Sequence, residues 1–402
     1  MRDGASPEVT QAAEDRDTRR RKLEAALGIP FFTGNAVTVL RNGKEIFPAM
    51  LKAVEEARRT IRFLTFVYWT GDIADRMADA LSDRAAAGVD VKVLLDAFGA
   101  KSMRQELIDR MEKGGVEIAW FRPLSTWRLW AADNRTHRKI LVVDDEIGFT
   151  GGVGIAREWE GDARDPTEWR DTHFRVEGPA VRGLAAGFLG NWSETGRRVD
   201  DDLSADDLEQ AADGERRANG TAIQVVRSTA TIGWSDVATL MQALVDVARR
   251  RLAITTPYFM PDDRAVAQLR EAVARGVEVE VMIPGRHVDK RVSELAGADY
   301  YTSLIEAGVR LWRYQKTMLH AKVITVDGAI ACVGSPNFNR RSMRKDDEIA
   351  LVMDDPAVTG ILDDHFAEDL KACERVDGQT WERRGLGRRV VEAGARLLRP
   401  HV

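Results

Sequence analysis

Two short stretches decide the fold, Thr136-His137-Arg138-Lys139-Ile140-Leu141-Val142-Val143-Asp144 and Leu319-His320-Ala321-Lys322-Val323-Ile324-Thr325-Val326-Asp327. Each is a His-x-Lys-x4-Asp pattern in an apolar, β-branched segment, and a glycine turn follows (Gly151-Gly152 and Gly334-Ser335). Residues i and i+2 of a β-strand face the same side, so each histidine is expected to emerge beside its lysine. A nucleophile or acid next to a fixed cation is the combination that attack on a phosphodiester requires.

The repetition makes this pattern informative. One His-x-Lys would be weak, because a single histidine near a strand is usually a structural residue. Here two of the six histidines share the same frame, 183 positions apart, and the same downstream turn. The chemical interpretation is therefore favoured over the structural one.

Around each motif, strand and helix patterns alternate in the same order. The predicted strands are 35–40, 60–68, 89–96 and 116–120 in the first half, and 222–226, 252–256 and 277–283 in the second, where the segment 308–312 then leads to the second motif. The predicted helices are 47–59, 72–87 and 103–113, and then 234–250, 263–274 and 293–307. Such alternation is typical of α/β folds. The sequence predicts two similar α/β halves, each a mainly parallel, mixed sheet flanked by helices, related by a pseudo-two-fold axis between the histidines.

A chain of 402 residues is too long for one ordinary core, which agrees with a duplication. We expect five segments. They are a charged N-terminal extension (1–34), a first half with the first motif (35–193), an acidic linker (194–220), a second half with the second motif (221–375) and a basic amphipathic C-terminal segment (376–402). The basic run at 19–22 is interpreted as a solvated helix face, with contact to lipid headgroups as the alternative.

The composition, with 44% hydrophobic and 31% charged residues, is that of a soluble globular protein. The net charge of −5 argues against a general nucleic-acid binder. Two cysteines cannot form a disulfide framework, so a reducing compartment is expected. We expect no signal peptide and no membrane span. The predicted location is cytoplasmic, peripheral to the inner face of the cell membrane.

The two stretches resemble the paired HKD motifs of the phospholipase D superfamily, and Gly334-Ser335-Pro336-Asn337 follows the second motif at the family's spacing. Within that superfamily the chain is most similar to bacterial cardiolipin synthases. The segments that carry this resemblance are 43–51, 169–173, 177–181, 255–259 and 314–320. The resemblance extends from about Val37 to the C-terminus.

The resemblance implies a role for each site residue. His137 is implied as the nucleophile and His320 as the acid and base, although the near-symmetry of the motifs leaves this order open on spacing alone. Lys139 and Lys322 would hold the non-bridging phosphate oxygens, and Ser335 and Asn337 would add hydrogen-bond donors. The family's acidic partners, which orient the histidines, match Asp171 and Glu348, 34 and 28 residues after the two histidines.

Asp144 and Asp327 complete the two catalytic motifs, but an aspartate after a strand is often a turn residue. We therefore favour a structural role for both. No metal and no cofactor are expected, since a lysine ammonium has no lone pair to offer a metal ion.

One residue departs from the family pattern. The family usually has Gly-Gly-x-Asn after the first motif, whereas this chain has Gly151-Gly152-Val153-Gly154. The glycine removes one side-chain donor. We expect weaker phosphate binding, reliance on Asn337 and backbone N–H groups, or an altered choice of substrate.

Two stretches are candidates for membrane contact. In the segment 120–130, tryptophan, leucine and arginine alternate, as suits the headgroup region, and core packing is the alternative. The stretch 381–400 carries six arginines and an apolar face, which is typical of a peripheral anchor for anionic lipid. It could equally cap the core.

The function that we predict is phosphatidyl transfer from phosphatidylglycerol, or a related anionic phospholipid, through a phosphohistidine to an alcohol such as a second phosphatidylglycerol. The alternatives are a phospholipase D that uses water, a nuclease, and a non-catalytic lipid-binding relative. No nucleic acid is expected as a partner. Because each half supplies one motif, the active site can form within one chain.

Overall fold

The computed structural model describes residues 7–123, 134–198, 220–229, 235–289 and 300–376. Several predicted features lie wholly or mostly outside these residues. They are most of the aromatic stretch 120–130, most of the acidic linker, the first part of the helix 293–307 and the C-terminal basic segment.

The strands and helices alternate twice along the chain, after an N-terminal helix α1 (Pro7–Leu27). The first half contains β1 Phe32–Arg41, α2 Asn42–Glu55, β2 Thr60–Thr65, α3 Asp72–Ala86, β3 Asp90–Asp96, α4 Gln105–Gly114, β4 Glu117–Phe121, β5 Ile140–Val143, β6 Ile147–Gly151, β7 Thr172–Glu177 and α5 Ala180–Glu194. The second half contains β8 Thr221–Ser228, α6 Asp236–Val247, β9 Arg251–Thr255, α7 Asp263–Ala274, β10 Glu278–Pro284, β11 Arg310–Tyr314, β12 Val323–Val326, β13 Ile330–Gly334, α8 Arg340–Arg344, β14 Glu348–Asp354, α9 Pro356–Leu370 and β15 Cys373–Arg375.

All of these strands join one sheet, in the order β15-β11-β10-β9-β12-β13-β14-β8-β1-β7-β6-β5-β2-β3-β4. The order is mirrored about the central pair, because β8, β14, β13, β12, β9, β10 and β11 correspond to β1, β7, β6, β5, β2, β3 and β4. The central pair β1–β8 is antiparallel, as a two-fold axis between the two strands requires. The predicted α/β class and the pseudo-two-fold relation of the halves are confirmed.

The sheet is mixed, but it is less parallel than the sequence suggested. Among the described strands, parallel pairing is confined to β2–β3–β4 and β9–β10–β11. The motif strands pair antiparallel, β5 with β2 and β6, and β12 with β9 and β13. The short turns between β5 and β6 and between β12 and β13 account for two of these four pairings, since a parallel connection needs a crossover of a dozen residues or more.

Among the described residues, three large apolar cores and one smaller cluster hold the molecule together. One lies under α2, α3 and α4 in the first half, and one under α1, α6 and α7 in the second. The third is shared by both halves, where Leu184, Phe188 and Trp192 of α5 belong to one buried cluster with Ile349 and Leu351 of β14. The two halves are therefore packed into a single body, and the motif strands lie beside their common interface.

Helix α2 begins at Asn42, before the predicted start at residue 47. Asn42 itself takes a positive φ of 60°, and its side chain donates to Asp162 Oδ1 at 3.0 Å. Gly43 is required there, since a Cβ would lie 1.9 Å from the carbonyl oxygen of Trp159.

The basic run at the N-terminus is only partly solvated, contrary to the favoured interpretation. Arg19 is buried and its guanidinium lies 3.5 Å from Asp327, while Arg16 donates to Asp354 Oδ1 at 2.6 Å. Leu23 is fully buried in the core of the second half. Within the described residues, no helix has both the length and the apolar character needed to cross a bilayer.

Candidate active site

His137 lies just before β5 and is held by residues of the second half. Its backbone N–H donates to the carbonyl of Asp347 at 2.9 Å. Its side-chain Nδ1 lies 3.2 Å from both carboxylate oxygens of Glu348, the first residue of β14. The imidazole of the first motif is thus oriented by a carboxylate from the other half of the chain.

His320 has the reciprocal arrangement. Its backbone N–H donates to the carbonyl of Arg170 at 2.7 Å, and its Nδ1 lies 2.8 Å from Asp171 Oδ2. Asp171 stands just before β7 in the first half. The sequence predicted both carboxylates by counting from the histidine of the same half, whereas the structure pairs each carboxylate with the histidine of the other half.

The two motif lysines are buried beside their histidines. Lys139 Nζ donates to the carbonyl of His137 at 2.7 Å, and Lys322 Nζ donates to that of His320 at 2.6 Å. Lys322 Nζ also lies 3.1 and 3.3 Å from the two ring nitrogens of His320. Burial lowers the pKa of Lys139 to about 7, with a further contribution from Lys322, and burial lowers that of Lys322 to about 8. The lysines of the two halves are therefore close enough for their charges to interact.

The other titratable groups respond to the same buried environment. Burial and the charge of Lys322 lower the pKa of His320 to about 4, although Asp171 acts in the opposite direction. Burial raises the pKa of Glu348, opposed by Lys139 and by the hydroxyl of Ser335. Burial raises the pKa of Asp171, but the interactions with His320 and Lys322 lower it further, so that it lies below its ordinary value. At neutral pH the substrate-free site holds a neutral His320 against an ionised Asp171.

Ser335 and Asn337 occupy different environments. The Ser335 hydroxyl donates to Glu348 and accepts from the Ile349 N–H at 3.0 Å, so its one proton is committed to the carboxylate. The structure does not place it as the phosphate donor that was predicted. Asn337 is buried, and its side-chain Oδ1 has no hydrogen-bond partner among the described residues. Its amide remains a candidate for binding a ligand.

Asp144 and Asp327 lie at the opposite ends of β5 and β12 from the histidines. Asp144 accepts from the backbone N–H groups of residues 58, 59 and 60 at 2.7–2.9 Å. Asp327 accepts from those of residues 249, 250 and 251, the nearest at 2.7 Å. Both take a positive φ, 54° and 55°. Each aspartate thereby fixes the start of a neighbouring strand, as the structural interpretation expects.

We expect Asp144→Ala and Asp327→Ala to lower the free energy of unfolding by about 1–3 kcal/mol, because each leaves three backbone donors without their acceptor. Asp327→Ala should lower the free energy of unfolding further, since it also removes the carboxylate that lies 3.5 Å from the buried Arg19 guanidinium. Urea unfolding followed by circular dichroism measures this effect, with Asp83→Ala on the exposed face of α3 as the control. A large loss of kcat at unchanged stability would instead assign these aspartates to catalysis.

Arginines next to the motifs were missed by sequence reasoning. Arg138 is buried, and its guanidinium donates to the carbonyl of Glu348 at 3.2 Å and to Asn191 Oδ1 at 2.8 Å. Arg170 donates to the carbonyl of Asp171 at 2.6 Å and to Asp369 at 2.9 Å. Each arginine fixes the backbone of one orienting carboxylate. Their only signal in the sequence is adjacency to a motif residue.

Trp159 was also missed. Its indole N–H donates to Asp171 Oδ2 at 2.9 Å, the same oxygen that contacts His320, and its ring lies edge-on to the His320 ring with centroids 5.2 Å apart. The position where the family has asparagine is adjacent, because a Cβ on Gly154 would lie 2.6 Å from Val67 Cβ and 3.3 Å from the Trp159 ring. The glycine is thus required by close packing, and a larger residue would displace Val67.

Within the described part of the chain, no group of three or more His, Cys, Asp or Glu side chains is arranged to hold a metal ion. The polar groups that converge here are instead two imidazoles, two ammonium groups and two carboxylates. This set can bind an anion, supply a nucleophile and move a proton.

Comparison with known proteins agrees with this chemistry. The family model described as cardiolipin synthase, PLD-like domain, matches residues 50–159 and 241–370, which include both motifs. Cardiolipin synthase 1 of Bacillus cereus is 31% identical over 377 residues, covering 93% of this chain and 74% of the relative. Cardiolipin synthase A of Pseudomonas aeruginosa is 35% identical over 375 residues, with 92% and 73% covered.

Among solved structures, phosphatidylserine synthase from Haemophilus influenzae has the same fold. It superposes with a TM-score of 0.72 at 15% identity and covers 96% of this chain and 100% of its own. At that identity the likeness concerns the fold alone.

Proposed function

The chain belongs to the cardiolipin synthase family with phospholipase D-like domains and is an enzyme of the phospholipase D superfamily, and from that premise we propose that it transfers a phosphatidyl group from phosphatidylglycerol to an alcohol. The acceptor that we propose is a second phosphatidylglycerol, which gives cardiolipin and glycerol. The observation that carries this proposal is the crossed pairing of each motif histidine with a carboxylate of the other half.

In the proposed first half-reaction, a phosphodiester binds between Lys139 and Lys322, with the Asn337 amide as a further donor. Glu348 accepts from His137 Nδ1, which places the proton on Nδ1 and the lone pair on Nε2, the nitrogen that attacks phosphorus. A phosphorus–nitrogen bond forms as the phosphorus–oxygen bond to the headgroup breaks. His320 gives a proton to the departing oxygen.

His320 must gain that proton before it can act as an acid, since it is neutral in the substrate-free enzyme. The negative charge of a bound phosphodiester raises the pKa of His320, so that the imidazole takes a proton from solvent when substrate binds, and Asp171 Oδ2, 2.8 Å from Nδ1, stabilises the imidazolium. In the second half-reaction His320 takes the proton of the incoming hydroxyl. The phosphorus–nitrogen bond then breaks as the new phosphorus–oxygen bond forms.

The roles of Ser335 and Trp159 follow from their contacts. Ser335 donates to Glu348 and would hold it against His137, while the Trp159 indole would hold Asp171 against His320. We assign both to positioning, because neither has a further donor to offer a phosphate.

The lysine pKa values give a pH dependence. A lysine is charged below its pKa and neutral above it, and both lysines have pKa values of about 7 to 8 without substrate. Because kcat/KM reports the free enzyme, it is expected to fall as pH rises above about 7, where Lys139 loses its proton, and more steeply above about 8, where Lys322 follows. The basic limb of kcat should lie at higher pH, since bound phosphate stabilises both ammonium groups. Steady-state rates on phosphatidylglycerol vesicles between pH 6 and 9.5 measure this, and a kcat/KM that stays level to pH 9.5 would contradict it.

We also propose that the protein meets its substrate as a peripheral protein at the inner face of the cell membrane. The candidate contacts are the aromatic stretch 120–130 and the basic segment after residue 376, both largely outside the described residues. The proposed site needs no second chain, since each histidine and its carboxylate come from the two halves of one chain.

Incubation of the purified protein with phosphatidylglycerol vesicles, with and without EDTA, tests the proposed function. We expect cardiolipin and glycerol in both conditions. Phosphatidic acid as the sole product would identify a hydrolase. Cleavage of DNA without turnover of lipid would identify a nuclease.

A further inference from the structure

A tyrosine and an aspartate beside the second motif have no part in the phosphate chemistry above. The hydroxyl of Tyr258, which follows β9, donates to Asp289 Oδ2 at 2.5 Å. Asp289 lies in the loop after β10, and its side chain is exposed. The Tyr258 ring lies edge-on to the His320 ring, with centroids 6.5 Å apart. The pair therefore stands at the mouth of the site, on the side of the proposed acid.

The charge of Asp289 reaches the site. It favours the charged form of both His320 and Lys322, raising the pKa of each against the larger effect of burial. A carboxylate in this position would repel an anionic phosphodiester, so it is not suited to binding the phosphate itself. Burial raises the pKa of Tyr258 well above its usual range, so the phenol stays protonated and keeps donating to Asp289.

The pair has capacity to bind a further donor. A carboxylate can accept about four hydrogen bonds, and Tyr258 supplies one of them. The pocket around the pair is otherwise mainly apolar, with Pro257, Phe259, Ile283 and Val288 in its lining. Among the described residues, Tyr258 is the one hydrogen-bond donor to Asp289. A carboxylate with remaining acceptors and apolar walls around it suits a small polyol, whose adjacent hydroxyls donate while its carbon atoms contact the walls.

We propose that Tyr258 and Asp289 form a subsite for the glycerol headgroup. This proposal rests on the proposed function and specifies which alcohol the enzyme takes. In the first half-reaction the subsite holds the glycerol that leaves, and in the second it holds the glycerol of the entering phosphatidylglycerol. One subsite serves both steps because the two alcohols share the same headgroup and each exchanges a proton with His320.

An ammonium headgroup could also pair with a carboxylate, but the geometry disfavours it. Lys322, which lies beside His320, is a cation close to the same side of the site. A second cation there would be repelled, whereas a neutral polyol would not be.

The experiment separates the subsite from the chemistry by using a donor without a polyol, the p-nitrophenyl ester of phosphatidic acid in vesicles. Release of p-nitrophenol reports the first half-reaction. The products formed with equal concentrations of glycerol, ethanolamine and ethanol report how the intermediate partitions among acceptors.

For the wild type we expect glycerol to be preferred over both other alcohols. Asp289→Asn should lower the ratio of glycerol product to ethanol product by about tenfold, since it removes charge-assisted hydrogen bonds. The two products form from the same intermediate in the same variant, so their ratio does not depend on how fast that variant releases p-nitrophenol. Tyr258→Phe should lower the ratio less, because it frees Asp289 without removing it. Asp364→Asn, an exposed aspartate of α9, is the matched control and should leave the ratio unchanged.

An unchanged ratio in Asp289→Asn, or a preference for ethanolamine, would overturn the subsite while p-nitrophenol release left the proposed transfer standing. Absence of p-nitrophenol release from the wild type would overturn the proposed transfer, and the subsite with it.

Discussion

Replacement of His137 by alanine is expected to lower phosphatidyl transfer by about 10⁴-fold or more, since the variant has no atom to form the covalent intermediate. His320→Ala should be equally inactive on phosphatidylglycerol, because the glycerol oxygen then leaves without a proton. The two variants should differ with the p-nitrophenyl donor, whose leaving group needs no acid. There His320→Ala is expected to release a burst of p-nitrophenol and then stop, while His137→Ala releases none.

His365→Ala is the matched control for this comparison. His365 is a half-buried histidine on α9 that belongs to neither motif. The His365→Ala variant should retain wild-type turnover of phosphatidylglycerol. Full activity in His137→Ala would remove the proposed mechanism, and a burst in that variant but not in His320→Ala would reverse the two roles.

The second large effect is expected from the orienting carboxylates. Glu348→Gln and Asp171→Asn should each lower turnover of phosphatidylglycerol by about 10³-fold, because an amide no longer stabilises the imidazolium or fixes its tautomer. Because each carboxylate pairs with the histidine of the other half, the two variants should differ in their release of p-nitrophenol. Glu348→Gln impairs His137, so it should slow p-nitrophenol release as well. Asp171→Asn impairs His320, so it should largely spare the first burst from that donor.

The opposite pattern, with the burst lost in Asp171→Asn and kept in Glu348→Gln, would contradict this assignment. It would mean that each carboxylate acts on the histidine of its own half, or that the nucleophile is His320. Thermal melting of both variants separates these effects from loss of structure. The buried contacts of Arg138 and Arg170 to the two backbones should keep both variants folded.

Much of the fold could be predicted because its signals are local. The duplicated motifs and the alternation of strand and helix are read within about ten residues, and they gave the α/β class and the two halves. The antiparallel pairing of β5 with β2 and β6, and of β12 with β9 and β13, depends on which strands meet across the sheet. Periodicity in a single strand does not contain that information.

The candidate site shows the same division. The histidines and lysines carry a spacing that the sequence displays directly. The pairing of His137 with Glu348 joins residues 211 positions apart, and the spacing within one half of the chain does not contain it. Ser335 was recognised by its spacing, but whether its hydroxyl faces phosphate or Glu348 is decided by β14, which arrives from later in the chain.

The most direct test of the account is to identify the covalent intermediate. His320→Ala would be mixed with the p-nitrophenyl donor, quenched in alkaline denaturant to preserve phosphoramidate bonds, digested and analysed by mass spectrometry. The mechanism requires a phosphatidyl adduct on His137, approaching one per chain, and no adduct in His137→Ala. Continued phosphatidyl transfer by the wild-type enzyme, with neither histidine ever carrying the adduct, would contradict it.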